Sequence, residues 1–494
     1  MHNSVLSPAQ RAVFVGLLMV SFVAALDATV VSTALYRIGE SLHGLTAQAW
    51  VTTAFLITST VTTPIYGRLA DQFGRTRLFV IAIVVFLAGS VLCSLATSMT
   101  VLAASRALAG AGAGGVISLN SAIIGVLVPP RERARYGSYF IGVFAIASVL
   151  GPLVGGALAG AGSLFGVTGW RWIFLLNVPV GAVALAVLAR APWVGGRSAV
   201  RRVDYPGVLL LLMALVPLLL VAQWGQQWGW GSWRSLACYV MGLAGVVCFL
   251  RAERAAGDGA LLSLRLFAIR AFTVGIAQGA AWGVTAFGMT VLLPLYLQLV
   301  RGYPPTEAGL LTLPLVAGMV LCSLIAGQVT MRTGRYKVLP VTGGVLLVAG
   351  ALCVATAGVG GSLVPAAVGM FVFGAGQGLY QSIINTTVQN AVTIDDIGVA
   401  TAASALSRQI GGTIGIAGLL SVVYSVAGSS ISRQALDDTS FLARLPPAAA
   451  LAIRERFLTG LSAAFVIVAA GGVLAFVLAL LIREVPLRGR QPSV

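Results

Sequence analysis

Apolar runs long enough to cross a lipid hydrocarbon core recur fourteen times along this chain, the first at about residues 12–35 and the last at about 458–482. A core about 30 Å thick takes roughly 20 helical residues at about 1.5 Å each. Backbone N–H and C=O groups inside lipid must be satisfied within their own segment, so each run predicts a helix and the fold class is an all-α polytopic membrane protein. Composition agrees: 9% of the 494 residues are charged and 58% hydrophobic, where soluble domains carry about 25% charged residues. Small residues Ala24 and Ala25 follow the first run as they would in a signal peptide. The positive region before it is only Arg11, and apolar sequence continues past Asp27, so an uncleaved first span is expected.

The 31 Lys and Arg residues against 14 Asp and Glu give a net charge of +17, which by itself would suit nucleic acid. These arginines instead form short clusters between apolar runs, which points to anionic membrane lipids as partners and to no nucleic acid. With the amino terminus inside, 21 of the 31 basic residues fall on the cytoplasmic side; that asymmetry predicts both termini in the cytoplasm. The tryptophan-rich turn Trp224–Trp233 then lies at the outer interface, where indoles concentrate. Five single cysteines and two histidines, His2 and His43, support neither a disulfide framework nor a metal site. No cofactor is expected.

Between the second and third runs lies Gly67-Arg68-Leu69-Ala70-Asp71-Gln72-Phe73-Gly74-Arg75-Thr76-Arg77. Gly67 and Gly74 suit a tight turn between helices, Asp71 suits a helix terminus, and the arginines suit an anionic membrane face. A worn copy recurs 260 residues later at Gly327–Lys337, with Met331 in place of Asp71. Gly110-Ala111-Gly112-Ala113-Gly114 is echoed by Gly374-Ala375-Gly376-Gln377-Gly378 at an offset of 264. Near-equal offsets indicate two related six-helix halves. The chain divides into residues 1–190, an insertion of two helices with polar linkers at 191–270, and residues 271–494 with an external loop at about 428–457, a connector or a lid.

Ionisable groups inside a membrane cost about 2.5–3.5 kcal/mol each on insertion scales and so need a partner or a role. Asp27 is the one acid deep in a span, and Arg106 lies at a similar depth, roughly 8–12 Å from the outer helix ends. They form either a static pair between the first and fourth helices or a proton site tuned by the arginine. Positions offset by 260 and 264 from them are Phe287 and Met370, so only the first half carries the pair. Arg408, in the thirteenth run, has no acid in its own helix. Candidate substrate-binding residues are the polar and aromatic side chains of second-half spans: Gln278, Trp282, Tyr296, Gln298, Gln377, Tyr380, Gln381 and Asn385. An apolar interior with few polar groups and one acid suits a lipophilic, cationic or amphipathic small molecule. In the fifth run, Gly151-Pro152-Leu153-Val154-Gly155 joins close-packing glycines to a proline kink that can flex.

The 67–77 loop, set after the second span, resembles the cytoplasmic loop motif of the major facilitator superfamily. Leu26-Asp27-Ala28-Thr29-Val30-Val31, the Arg106 region, Gly151–Gly156 and Trp170-Arg171-Trp172-Ile173-Phe174-Leu175-Leu176-Asn177-Val178-Pro179 resemble its fourteen-helix drug:proton antiporters. Ala109 departs from the glutamine common before Gly110 in that group. The resemblance implies two six-helix bundles plus two inserted helices, and alternating access with export coupled to inward proton flow through Asp27 and Arg106. It also implies gating by Gly67, Asp71, Gly74, Arg75, Gly151, Pro152 and Gly155. The expected protein is a monomer of the inner (cytoplasmic) membrane that moves a small lipophilic substrate against protons, and is not an enzyme. Within the class, a dedicated exporter of a native lipid, siderophore or self-made antibiotic is the alternative. A membrane-embedded enzyme would need an acid, base or metal constellation that one acid does not supply.

Overall fold

In the computed structural model, residues 7–43, 48–189, 205–256, 262–360, 362–393, 396–428, 446–482 and 484 are described. They are almost wholly helical: α1 Pro8–Ser41, α2 Gln48–Phe73, α3 Arg75–Ser94, α4 Met99–Leu127, α5 Pro130–Gly160, α6 Arg171–Leu175, α7 Asn177–Ala189, α8 Tyr205–Trp228 and α9 Trp233–Ala256. There follow α10 Arg270–Leu295, α11 Pro305–Leu311, α12 Leu313–Thr333, α13 Val338–Ala355, α14 Val364–Asn390, α15 Ile397–Ala427 and α16 Pro447–Leu480. Thirteen stretches among the described residues are long and apolar enough to cross a membrane. Helix α2, 26 residues long, is more polar because its threonines face α4. Thr62 and Thr63 donate to the α4 carbonyls of Ala111 at 3.1 Å and Gly114 at 3.3 Å as well as to their own helix. Hydroxyls so satisfied carry little burial penalty. The chain is a multi-pass membrane protein of the expected all-α class.

Two compact units emerge. One holds the described residues up to Thr273 together with Asn385–Leu406; the other holds those of Val274–Ile384 and Ser407–Pro486. In the first, α4 packs backbone against backbone on both sides. A Cβ at Gly110 or Gly114 would strike the α2 residues Phe55 and Ser59, and one at Gly112 would strike Phe86 of α3. The second unit repeats the device: a Cβ at Gly374 or Gly378 would strike the α12 carbonyls of Leu315 and Met319, and Gly376 faces Gly343 of α13. Both glycine echoes therefore do the same packing work in their own unit.

Several expectations drawn from the sequence change in detail. The sixth span is broken into α6 and α7 around Leu176, after a two-stranded antiparallel hairpin pairing Ser163 with Thr168 and Leu164 with Val167. The ninth ends in a wide turn at Tyr296–Val300 after Pro294, and the tenth breaks at Thr312 before Pro314, since a proline removes a helical N–H bond. The expected external loop at 428–457 is helical from Pro447 onward, and its residues 429–445 lie outside the described ones. The tight turn after α2 rests on Gly74 alone, whose φ is +91°. Gly67 sits inside α2, where close contact, not turning, requires it.

Candidate functional site

Four elements of the first unit converge on Asp27. Arg106 Nη1 of α4 donates to Asp27 Oδ2 at 2.6 Å, and Asn177 Nδ2 of α7 donates to Oδ1 at 2.9 Å. Asn177 Nδ2 also donates to Ser90 Oγ of α3 at 3.1 Å. Asp27, Arg106, Asn177 and Ser90 are all 3% exposed or less. The guanidinium lies 4.1 Å from the Phe55 ring centroid and 6.0 Å from that of Phe174, so aromatic faces as well as the carboxylate balance its charge. Charged hydrogen bonds in so dry a setting are strong, and losing one partner is costly.

Local sequence explains this convergence. Ahead of the break, Arg171 caps the end of α3 through its Nη1 to the Ser94 carbonyl and its Nη2 to the Ala96 carbonyl at 3.0 Å. A cation there is favoured by the helix dipole. Trp170 Nε1 donates to Ser41 Oγ at 3.1 Å, tying α6 to the end of α1. Held at both places, the segment delivers Asn177 to Asp27 as α7 begins. On the other side of α1, Thr29 donates to the Ala147 carbonyl of α5 at 3.2 Å, and a Cβ on Gly151 would overlap Thr29. Gly155 is buried on the same helix, while the side chains of Pro152 and Asp71 lie outside the described ones. Asn177 was legible only as a motif letter; that its amide reaches Asp27 depends on the break in the sixth span.

At the end of the unit that carries the 67–77 loop, α2 and α4 pack against Asn385–Leu406. A Cβ on Gly67 would overlap the Ala402 methyl and come within 2.9 Å of the Gly398 carbonyl oxygen. Gln389 Nε2 donates to the Ser121 carbonyl at 2.9 Å and to Thr401 Oγ1 at 3.0 Å. Ser404 Oγ donates to Asn385 Oδ1 at 3.3 Å, and Asn385 Nδ2 donates to Ser121 Oγ at 3.4 Å. Arg133 donates to the carbonyls of Gly125 and Val128, closing the end of α4. Arg68 and Arg75 are buried. Asp396, just before α15, accepts from Arg265 Nη2 at 3.1 and 3.3 Å and from Thr393 Oγ1 at 2.9 Å.

The second unit brings together some of its candidate substrate residues and not others. Gln278 of α10 lies beside Tyr380 of α14, and Trp282 is buried one turn further along α10, its Nε1 without a hydrogen-bond partner among the described residues. Tyr380 is buried and donates to the Ala475 carbonyl at 2.8 Å, and Gln377 is buried on the same helix. Tyr296 donates to the Gly358 carbonyl at 3.0 Å, about 27 Å along the helix from Gln278 at about 1.5 Å per residue. Gln298 and Gln381 are half-buried, and Asn385 belongs to the polar set of the first unit. In the worn loop copy, Glu484 Oε1 accepts from the backbone N–H groups of Tyr336 at 2.8 Å and Lys337 at 3.4 Å. An acid from after α16 thus sits beside the start of α13, in a loop whose own acid position is Met331.

Residues 17–416 match the family model of the Major Facilitator Superfamily. The chain is 32% identical over 84% of its length to the multidrug transporter protein MdtP of Bacillus subtilis, of which the match covers 76%. It is 33% identical over 85% of its length to the MFS-type efflux pump MMF1 of Pseudozyma antarctica, covering 78% of that protein. Among solved structures, the proton:xylose symporter XylE superposes with a TM-score of 0.63 at 16% identity, over 95% of this chain and 94% of that one.

Proposed function

Because the chain belongs to the major facilitator superfamily, and so is a transporter and not an enzyme, we propose that it is a proton-coupled antiporter exporting lipophilic, cationic or amphipathic compounds by alternating access. Efflux is supported by relatives named as multidrug transporter and efflux pump. Coupling is supported by one observation above others: the buried Asp27, whose Oδ2 is held by Arg106 at 2.6 Å. A proton on Oδ2 releases Arg106, and the return of Arg106 expels the proton. We place the protein in the cytoplasmic membrane with the 67–77 loop inside, as the arginine distribution supports. The contact of Gly67 with Ala402 then reads as an inner gate, with Asp71 and Arg75 in its lock and Gly74 as its hinge. Gly151, Pro152 and Gly155 let α5 accommodate α1 as the gate works.

The test is dye transport in inverted vesicles under an imposed pH gradient. The wild-type chain accumulates a lipophilic cationic dye as the gradient is applied, and Asp27→Asn, inserted to the same level, does not. Retained gradient-driven accumulation in that variant refutes the coupling role. Accumulation that ignores the gradient in the wild type refutes antiport.

A further inference from the structure

Within the network around Asp27, each carboxylate oxygen has its own donor: Arg106 Nη1 on Oδ2 at 2.6 Å, Asn177 Nδ2 on Oδ1 at 2.9 Å. An arginine gripping both oxygens would have to break two charged hydrogen bonds at once to let go. Here it breaks one. We propose that Asn177 is a positioning residue for proton exchange, fixing the Asp27 carboxyl so that Oδ2 alone alternates between Arg106 and a proton. This deepens, and rests on, the reading of Asp27 as the proton site.

The chemistry favours this division. A carboxamide N–H donates to a carboxylate oxygen and also, less strongly, to the carbonyl oxygen of the neutral acid, so its bond to Oδ1 survives both states while favouring the charged one. The incoming proton bonds to Oδ2 as the Arg106 N–H···Oδ2 hydrogen bond breaks, and no other bond changes. Asn177 is itself held: its Nδ2 also reaches Ser90 Oγ at 3.1 Å, and α6 ahead of it is anchored to α1 and α3 through Trp170 and Arg171. Among the described residues, the charged and titratable groups near Asp27 are Arg106 of α4 and Cys93 of α3. Helix α2 offers Phe55 against Arg106, α6 offers Phe174, and α5 offers the Ala147 carbonyl to Thr29. Because Asn177 opens α7 directly after the break at Leu176, the angle of the sixth span sets where the amide meets Oδ1.

Full-length Asn177→Leu, which keeps the branched shape but removes the donor, and Asn177→Ser, which keeps a shorter donor, are compared in inverted vesicles with the same dye across a pH series. Losing a donor to the charged form moves the half-maximal pH of transport upward by about one unit, tenfold in proton activity. Asn177→Ser recovers at least half of that displacement. A transporting Asn177→Leu with the wild-type profile, or equal displacement in both variants, overturns the proposal. If Asn177→Leu does not insert, Asn177→Ala, which also removes the donor, decides in its place: displaced upward, it supports the role, and unmoved, it removes it. Gradient-driven transport by Asp27→Asn would remove the underlying proton site instead, so the two failures are distinct.

Discussion

Gly67→Ala is the sharpest perturbation of the proposed gate. The added methyl overlaps the Ala402 methyl, stands 2.9 Å from the Gly398 carbonyl oxygen and 3.3 Å from Ser118 Oγ. None of the first two contacts can swing away by rotating a side chain, so the first turn of α15 must move or α2 must tilt. Overpacking of this kind costs about 1–3 kcal/mol, and about 1.4 kcal/mol is a tenfold change in an equilibrium. The packed arrangement therefore loses about 5- to 150-fold in population against any arrangement that separates α2 from α15. Ser118, fully buried, supplies the readout: in a Ser118→Cys background, labelling by a membrane-impermeant maleimide from the 67–77 side accelerates by that factor. Ala402→Gly removes the methyl that clashes, so the double variant recovers part of the slow labelling, the Gly398 contact remaining. Unchanged labelling in folded Gly67→Ala would mean that this contact does not set the packing.

Removing Arg106 strands a buried carboxylate, so Arg106→Ala lowers stability by about 3–5 kcal/mol, while adding Asp27→Asn restores much of the loss; thermal unfolding in detergent of both variants checks this cycle. Arg171→Ala uncaps α3 at two carbonyls and costs about 1–3 kcal/mol, read as a lower melting temperature in detergent. Glu484→Gln weakens the acceptor at the start of α13 by about 0.5–1 kcal/mol, and hydrogen exchange at the Tyr336 and Lys337 amides rises about threefold.

The helices were legible because membrane-spanning length and backbone self-sufficiency leave a chain little choice, and α3, α4 and α13 run close to the apolar segments that announce them. The two glycine rows were legible as an echo, since positions where backbones touch admit no other residue and so keep their spacing. The meeting of Asp27 with Arg106 could be anticipated from depth alone, because two charges at one level of a dry bundle have few other ways to be satisfied. What pattern reading could not supply was direction. Asn177 becomes a ligand of Asp27 only through the break at Leu176, and Gly67 reads as a turn residue until α2 is seen to run to Phe73. The anchoring of Tyr336 by Glu484 joins residues 148 apart in the chain, beyond any local rule. Tyr296 and Gln278 share a helix and a chemistry but not a place, as side chains at opposite ends of a long rod must.

The paired glycine rows of α4 and α14 also have a mechanical meaning. Helices that meet through bare backbone have no layer of side chains to shear past one another, and each ridge of carbonyls is keyed into a gap that only a missing Cβ leaves open. Sliding by even a fraction of a turn would drive a residue with a Cβ into that gap, and tightly packed contacts of this kind deform in discrete steps, not by creep. The pairs α2 with α4 and α12 with α14 are thus welded struts. Whatever movement carries cargo across must swing each strut whole about its ends, with the compliance left to the looser helices and the broken sixth, ninth and tenth spans.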